Sequence, residues 1–191
     1  MYNADNRCAD RTVRNGGGAE FSRPIFNKFN KFAHLEGVAL PGFLIDLDGT
    51  MYAGTRPLPH AAEFIEWLRS RGFPYLFVTN NSSRRPEQVA EHLRAVVGVP
   101  ARPEEVFTSA QAACRYITLQ QAGNRVYIIG EDGLVTAAAQ AGLRRCGDDE
   151  RTDGGVEPPD FVLQGIDRAI NYRKLELAVR HLLRGARYVL T

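Results

Sequence analysis

Two aspartates one residue apart, Asp46 and Asp48, follow the apolar run Phe43-Leu44-Ile45 and precede Gly49-Thr50. Carboxylates two positions apart share one face of a continuing strand. Where the strand ends, Gly49 lets the backbone turn so that both acids still reach one pocket. Carboxylates held close together repel unless a cation or a shared proton intervenes. A hard, oxygen-seeking Mg²⁺ with a phosphate ligand meets that need. A second string, Thr79-Asn80-Asn81-Ser82-Ser83, follows another apolar run, Tyr75-Leu76-Phe77-Val78. Hydroxyls, amides and free backbone N–H groups at a strand end suit an anionic phosphoryl group. In a doubly wound sheet the carboxyl ends of neighbouring strands line one crevice, so the two strings face each other there.

The elements that must position these strings alternate between strand and helix. Pro57 to Pro59 lead into a helix with Ala61, Phe64, Ile65 and Leu68 on one face, stopped at Gly72. Pro86 opens a second, with Val89, Leu93 and Val96 in step and Gly98 at its end. After Val106-Phe107, Ser109 is placed to cap a third helix carrying Ala113, Tyr116 and Ile117. A second cycle follows: a strand over 126–129, a helix over 134–141, a Gly- and Pro-containing acidic surface loop over 147–159, and a strand over 161–163. A helix over 172–183 then carries Leu175, Ala178 and Leu182 on one side, and 188–190 begins another strand. Strand and helix alternating in this way predict an α/β architecture with parallel strands. A chain of this kind rarely stops at the start of an apolar strand, which needs neighbours on both sides. Thr191 therefore reads as an interruption of a longer fold.

Composition narrows the function classes. Lys+Arg 24 against Asp+Glu 22 gives a net charge of +2, without the concentrated basic face that a nucleic-acid binder needs. No run reaches the ~18 apolar residues of a membrane span, and the N-terminus lacks the apolar centre of a secretory signal. The three cysteines, Cys8, Cys114 and Cys146, form no CxxC pair, which fits a reducing cytoplasm. Neither His34, His60, His92 nor His181 has a paired metal spacing, and structural or exposed roles are expected for them. Residues 1–37 are rich in Asn, Arg and Gly and read as a disordered leader. Within them, the aromatics and lysines of 26–32 and the run Gly16-Gly17-Gly18 are weak candidates for a surface-binding patch and a nucleotide loop.

Asp46-Leu47-Asp48-Gly49-Thr50-Met51-Tyr52 and Phe77-Val78-Thr79-Asn80-Asn81-Ser82-Ser83-Arg84 together resemble the first two motifs of the haloacid dehalogenase superfamily. They are most similar to its para-nitrophenylphosphatase and sugar-phosphatase-like branch, whose members carry an inserted α/β cap. The resemblance runs from about residue 42 to 191. It implies a doubly wound, Rossmann-like hydrolase core in its N-terminal part over 38–122 and a partial cap over 123–191. It implies a phosphatase of small phosphorylated metabolites such as a sugar phosphate or nucleotide, with a homodimer through the cap as a further expectation. By resemblance, Asp46 attacks phosphorus to form an aspartyl-phosphate, and Asp48 first protonates the leaving alcohol and then activates water. Thr79, Asn80, Asn81 and Gly49 would hold the phosphoryl oxygens, and Mg²⁺ would be bound by the Asp46 carboxylate and the Asp48 main-chain carbonyl.

The match is partial. The family's third motif supplies a lysine and its fourth further acids, both after the cap. The lysines here are Lys28, Lys31 and Lys174, of which the first two precede Asp46. Asp148, Asp149 and Glu150 follow no apolar strand, and Asp167 resembles a cap position. A weakly active or inactive chain is the expectation. A phosphotransferase with the same nucleophile, a phospho-accepting receiver domain and a non-catalytic scaffold are the other classes. The receiver type draws its metal-binding acids from an earlier strand end, and nothing suitable precedes Phe43.

Overall fold

A computed structural model describes residues 42–147 and 158–191. The leader over 1–37, with Cys8, His34, Lys28 and Lys31, lies outside the described residues, as do Asp148, Asp149, Glu150 and most of the 147–159 loop.

The first sheet has three strands in the order β1-β4-β5, formed by Phe43–Asp46, Tyr75–Thr79 and Val106–Thr108. All pairings are parallel, with Asp46 opposite Val78 and Thr79 opposite Thr108. Their carboxyl ends therefore lie at one level, and the central strand carries Thr79 between Asp46 and Thr108. Helix α1 (Ala61–Ser70) buries Ala61, Ile65 and Leu68, while Phe64 stays 40% exposed and stacks on Trp67 at the rim. Helix α2 (Pro86–Val97) buries Val89, Ala90, Leu93 and Val97 and ends at Gly98, whose positive φ of 79° suits a residue without a Cβ.

Between β1 and α1 the chain makes an antiparallel hairpin, β2 (Tyr52–Ala53) with β3 (Arg56–Pro57). The sequence reading did not foresee it, because two-residue strands show no alternation to detect.

The second sheet has the order β7-β6-β8-β9, all parallel, from Arg144–Arg145, Arg125–Ile129, Phe161–Gln164 and Arg187–Leu190. Helix α3 (Ser109–Gln120) follows β5 and buries Ala110, Ala113, Cys114 and Ile117 against Val126, Ile128, Leu134 and Phe161 of the second sheet's core. Tyr116, expected on the same face, is 53% exposed. Thr108, not Ser109, caps α3: its extended backbone lets the hydroxyl oxygen accept from the Gln111 N–H at 3.3 Å. Helix α4 spans Asp132–Gln140, two residues earlier at its start than the apolar period indicated.

Helix α5 (Tyr172–Leu183) has the expected bounds but a rotated face. It buries Leu177, Ala178 and His181, while Leu175 is 42% exposed. The cause is Tyr127, fully buried on β6, whose ring meets the His181 ring at 5.0 Å. Among the described residues no helix is long and apolar enough to cross a membrane.

Candidate functional site

Asp46 ends β1 and Asp48 follows it, and both side chains are exposed on either side of fully buried Leu47. Leu47 also anchors the turn after the strand: its carbonyl accepts from the N–H groups of Thr50, Met51 and Tyr52 at 3.2, 2.8 and 3.3 Å. Gly49 takes φ 85°, and its N–H donates to the Tyr52 carbonyl at 2.8 Å. That residue turns the chain, as its type predicted. Its N–H is committed to the turn, and Gly49 lines neither of the two cavities beside the acids. Tyr52, 6% exposed, sits under the turn. Burial pushes its phenol up to about 12, with the charges of Asp48 and then Asp46 adding to the rise against the opposing charge of Arg84.

The loop after β4 is organised by its own side chains. The Asn81 N–H donates to Thr79 Oγ1 at 3.1 Å. Asn81 Oδ1 accepts from the Ser83 N–H at 2.9 Å and from the Ser83 hydroxyl at 2.7 Å, an Asx turn. Ser109, the first residue of α3, donates its hydroxyl to the Asn80 carbonyl at 2.9 Å. These bonds hold the 79–83 loop in one shape.

Two cavities of about 220 Å³ each open on this loop and meet at Thr79. One is lined by Asp46, Thr79 and Asn80 together with Thr108 and Ser109. The other is lined by Asp48, Thr79 and Asn81 with Tyr52, Arg84 and His92. Asp46, Asp48, Thr79, Asn80 and Asn81 thus lie at one sheet end, but the two acids line different cavities, not the single pocket expected from their spacing, and Gly49 lines neither. Arg84, Tyr52 and His92 were not singled out as site residues. His92 stands three residues after Val89 on α2, a same-face spacing, and its ring meets the edge of Tyr52 at 4.8 Å. Lys174, the one lysine among the described residues, is on α5 and pairs with Asp167 at 2.7 Å.

The loop also touches the second sheet. Ser83's carbonyl accepts from the Gly133 N–H at 3.0 Å, Arg85 Nε pairs with Asp132 at 2.9 Å, and the Arg168 guanidinium pairs with Glu131 at 2.7 Å behind that contact. A Cβ at Gly133 would meet the Arg84 carbonyl at 2.6 Å, so only glycine permits this approach.

A parallel α/β sheet with paired aspartates at one strand end and a hydroxyl-amide loop at the next defines a class of proteins built to handle an anionic group beside a cation. Residues 43–144 match the family model described as haloacid dehalogenase-like hydrolase, and the chain belongs to that family. It is 47% identical over 150 residues to the 5'-nucleotidase YutF of Bacillus subtilis, covering 78% of this chain and 55% of that protein. It is 44% identical over 149 residues to an acid sugar phosphatase of Staphylococcus aureus, covering 78% and 54%. Its fold matches the crystal structure of the glycerol phosphate phosphatase Rv1692 from Mycobacterium tuberculosis in complex with magnesium, with TM-score 0.68 and 37% identity over 78% of this chain and 43% of that one. The chain spans about half the length of the curated relatives it matches.

Proposed function

We propose that this protein hydrolyses small phosphate monoesters with a divalent cation, using Asp46 as nucleophile and Asp48 as proton donor and acceptor. One observation carries the reading: the two acids, spaced by buried Leu47, each line a cavity at the same sheet end, and Thr79 lines both. In-line displacement needs the two acids on opposite sides of one phosphorus. Attack comes from one side of phosphorus and the leaving oxygen departs on the other. Asp46 is exposed at the strand end and lines one cavity with Thr79 and Asn80, and a phosphoryl group would sit beside it. Asp48 lines the other cavity, which supports for it the role of a group that first donates a proton to the leaving oxygen and later removes one from water.

The donor set suits a hard cation. Among the described residues no group of three or more His, Cys, Asp or Glu side chains could hold a metal. Mg²⁺ commonly takes one or two carboxylates and completes its shell with water and substrate phosphate. The Asp46 carboxylate and the Asp48 carbonyl would hold it, and when bound it supplies positive charge that offsets the repulsion between nucleophile and phosphate. Crystal structures of the related glycerol phosphate phosphatase in complex with magnesium and with calcium support a divalent cation. The relatives' names support a small phosphorylated metabolite as substrate. Asn81 and Gly49 serve this reading by holding the loop and the turn, with Thr79 and Asn80 facing the phosphoryl group.

A non-catalytic reading is favoured by the engagement of Lys174 with Asp167, which leaves the described residues without a lysine at the site. Hydrolysis of para-nitrophenyl phosphate with and without Mg²⁺, in the parent chain and in Asp46→Asn, separates the two. Metal-dependent turnover lost in the variant supports the hydrolase. No turnover in either supports the non-catalytic reading, and turnover equal in both overturns Asp46 as the nucleophile.

A further inference from the structure

The cavity that holds Asp48 has a feature the hydrolytic step does not require. Arg84, an exposed residue, is among those lining its space of about 220 Å³, with Tyr52, Thr55 and His92. Drug-sized sites occupy ~300–1,000 Å³, so this space suits a short carbon skeleton. Among the described residues the Arg84 guanidinium makes no ion pair, whereas its neighbour Arg85 is engaged with Asp132 at 2.9 Å. The main chain of Arg84 is nevertheless fixed. Ser83's carbonyl is bonded to the Gly133 N–H at 3.0 Å, and the Arg84 backbone is in close contact with Gly133. An unpaired guanidinium on a rigid backbone is suited to bidentate recognition of a carboxylate or phosphate.

Resting on the hydrolase reading above, we propose that Arg84 is a specificity-determining residue that binds a second anionic group on the leaving-group part of the substrate. The substrates it selects are small phosphate monoesters that carry a further carboxylate or phosphate. Asp48 in the same cavity would repel such an anion unless a cation stood opposite, and Arg84 is the permanently charged cation among the lining residues. His92, half-buried against Tyr52, lines the same cavity.

The test uses three esters of one carbon framework: 2-hydroxyethyl phosphate, 2-phosphoglycolate and ethylene glycol bisphosphate. Binding to the full chain bearing Asp46→Asn is measured by calorimetry in Mg²⁺ buffer, with inorganic phosphate as reference. The two doubly anionic esters should bind about tenfold or more tighter than the hydroxyl ester, the scale of a hydrogen bond to a charged group. A preference for phosphoglycolate assigns the second anion as carboxylate, and a preference for the bisphosphate assigns it as phosphate. In the Arg84→Met background the ratio of affinities should fall towards one, and Arg84→Lys should restore part of it. Equal binding of all three esters in the parent, or a preference that survives Arg84→Met, overturns the assignment while the hydrolase reading stands. Failure of every ester and of phosphate to bind overturns both.

Discussion

The main-chain N–H of Ile166 donates to the hydroxyl oxygen of Ser82 at 3.2 Å, linking residues 84 positions apart. Ser82 is fully buried and belongs to the loop that faces the candidate phosphoryl position, whereas Ile166 follows β8 of the second sheet. Gly165, one residue earlier, has its N–H on the Ile129 carbonyl at 2.8 Å, and a Cβ there would collide with Ser82. The loop is therefore shaped from both sheets.

Ser82→Ala should cost about 1 kcal/mol, the worth of one hydrogen bond, because the Ile166 N–H loses its partner. Gly165→Ala should cost more, roughly 1–3 kcal/mol, because the added methyl overpacks a site without slack. Urea denaturation midpoints give both values. If Gly165→Ala proved the milder change, the close approach of the two segments would be wrong.

Lys174→Met should be more damaging than most surface changes. Asp167 has a side chain only 3% exposed and depends on Lys174 at 2.7 Å, with the Ala169 N–H as a further donor at 2.9 Å. Removing the cation strands a buried charge, at a cost of roughly 3–5 kcal/mol. Asp167→Asn in the same chain should recover part of the loss. Thermal melts of the single and double variants check this, and no recovery would mean that Lys174 acts through packing alone.

Alkaline pH should weaken the fold. Burial raises the Cys114 thiol from 9.0 to about 11, and burial with the nearby acids raises the Tyr52 phenol from 10.0 to about 12. Both groups keep their protons in the folded chain at pH values where the unfolded chain has released them. Unfolding therefore releases protons, and stability falls as pH rises. The contribution is whole below pH 9 and declines from there towards 12. Tyr52→Phe should flatten the upper part of that decline in denaturation curves collected from pH 8 to 11.5. An unchanged slope would show that the phenol is not held neutral by the fold.

Asp48→Asn separates its proposed role from that of Asp46. Proton transfer to the leaving oxygen contributes ~10²–10⁴-fold, so an alkyl phosphate should lose about that factor in kcat. The loss should be smaller for para-nitrophenyl phosphate, whose phenolate leaves unaided. Equal losses on both substrates would remove the acid role. Circular dichroism should be unchanged, since the side chain is exposed.

Much of the arrangement is legible in the sequence alone. Apolar runs that end abruptly in Asp46 and Thr79 marked the strand ends, where the site of a parallel sheet lies, although β1 is an edge strand with Leu44 71% exposed and not the buried strand its apolar run suggested. The bounds of the last helix were also readable from its period and from Gly185. Which face of that helix turns inward was not. Periodicity gives an apolar stripe, but the buried Tyr127 selected Leu177 and His181 over Leu175. The cap of α3 was missed by one residue because Thr108 and Ser109 both carry hydroxyls, and the extended backbone at Thr108 decides between them. Arg84, Tyr52 and His92 were missed as a group because they come from a loop, a two-residue strand and a helix. Only the folded chain brings such separate segments to one cavity.

Leu47 has a consequence for how this chain tolerates change. It carries no reactive group, yet it is fully buried between the two acids and its carbonyl gathers three N–H donors. A smaller side chain at position 47 would leave both carboxylates chemically intact while loosening the peptide that sets the angle between them. A longer or shorter linker would turn one acid out of its compartment. In a survey of every single substitution, position 47 would therefore score with the reactive residues, and a mutational map of the site would be wider than its chemistry.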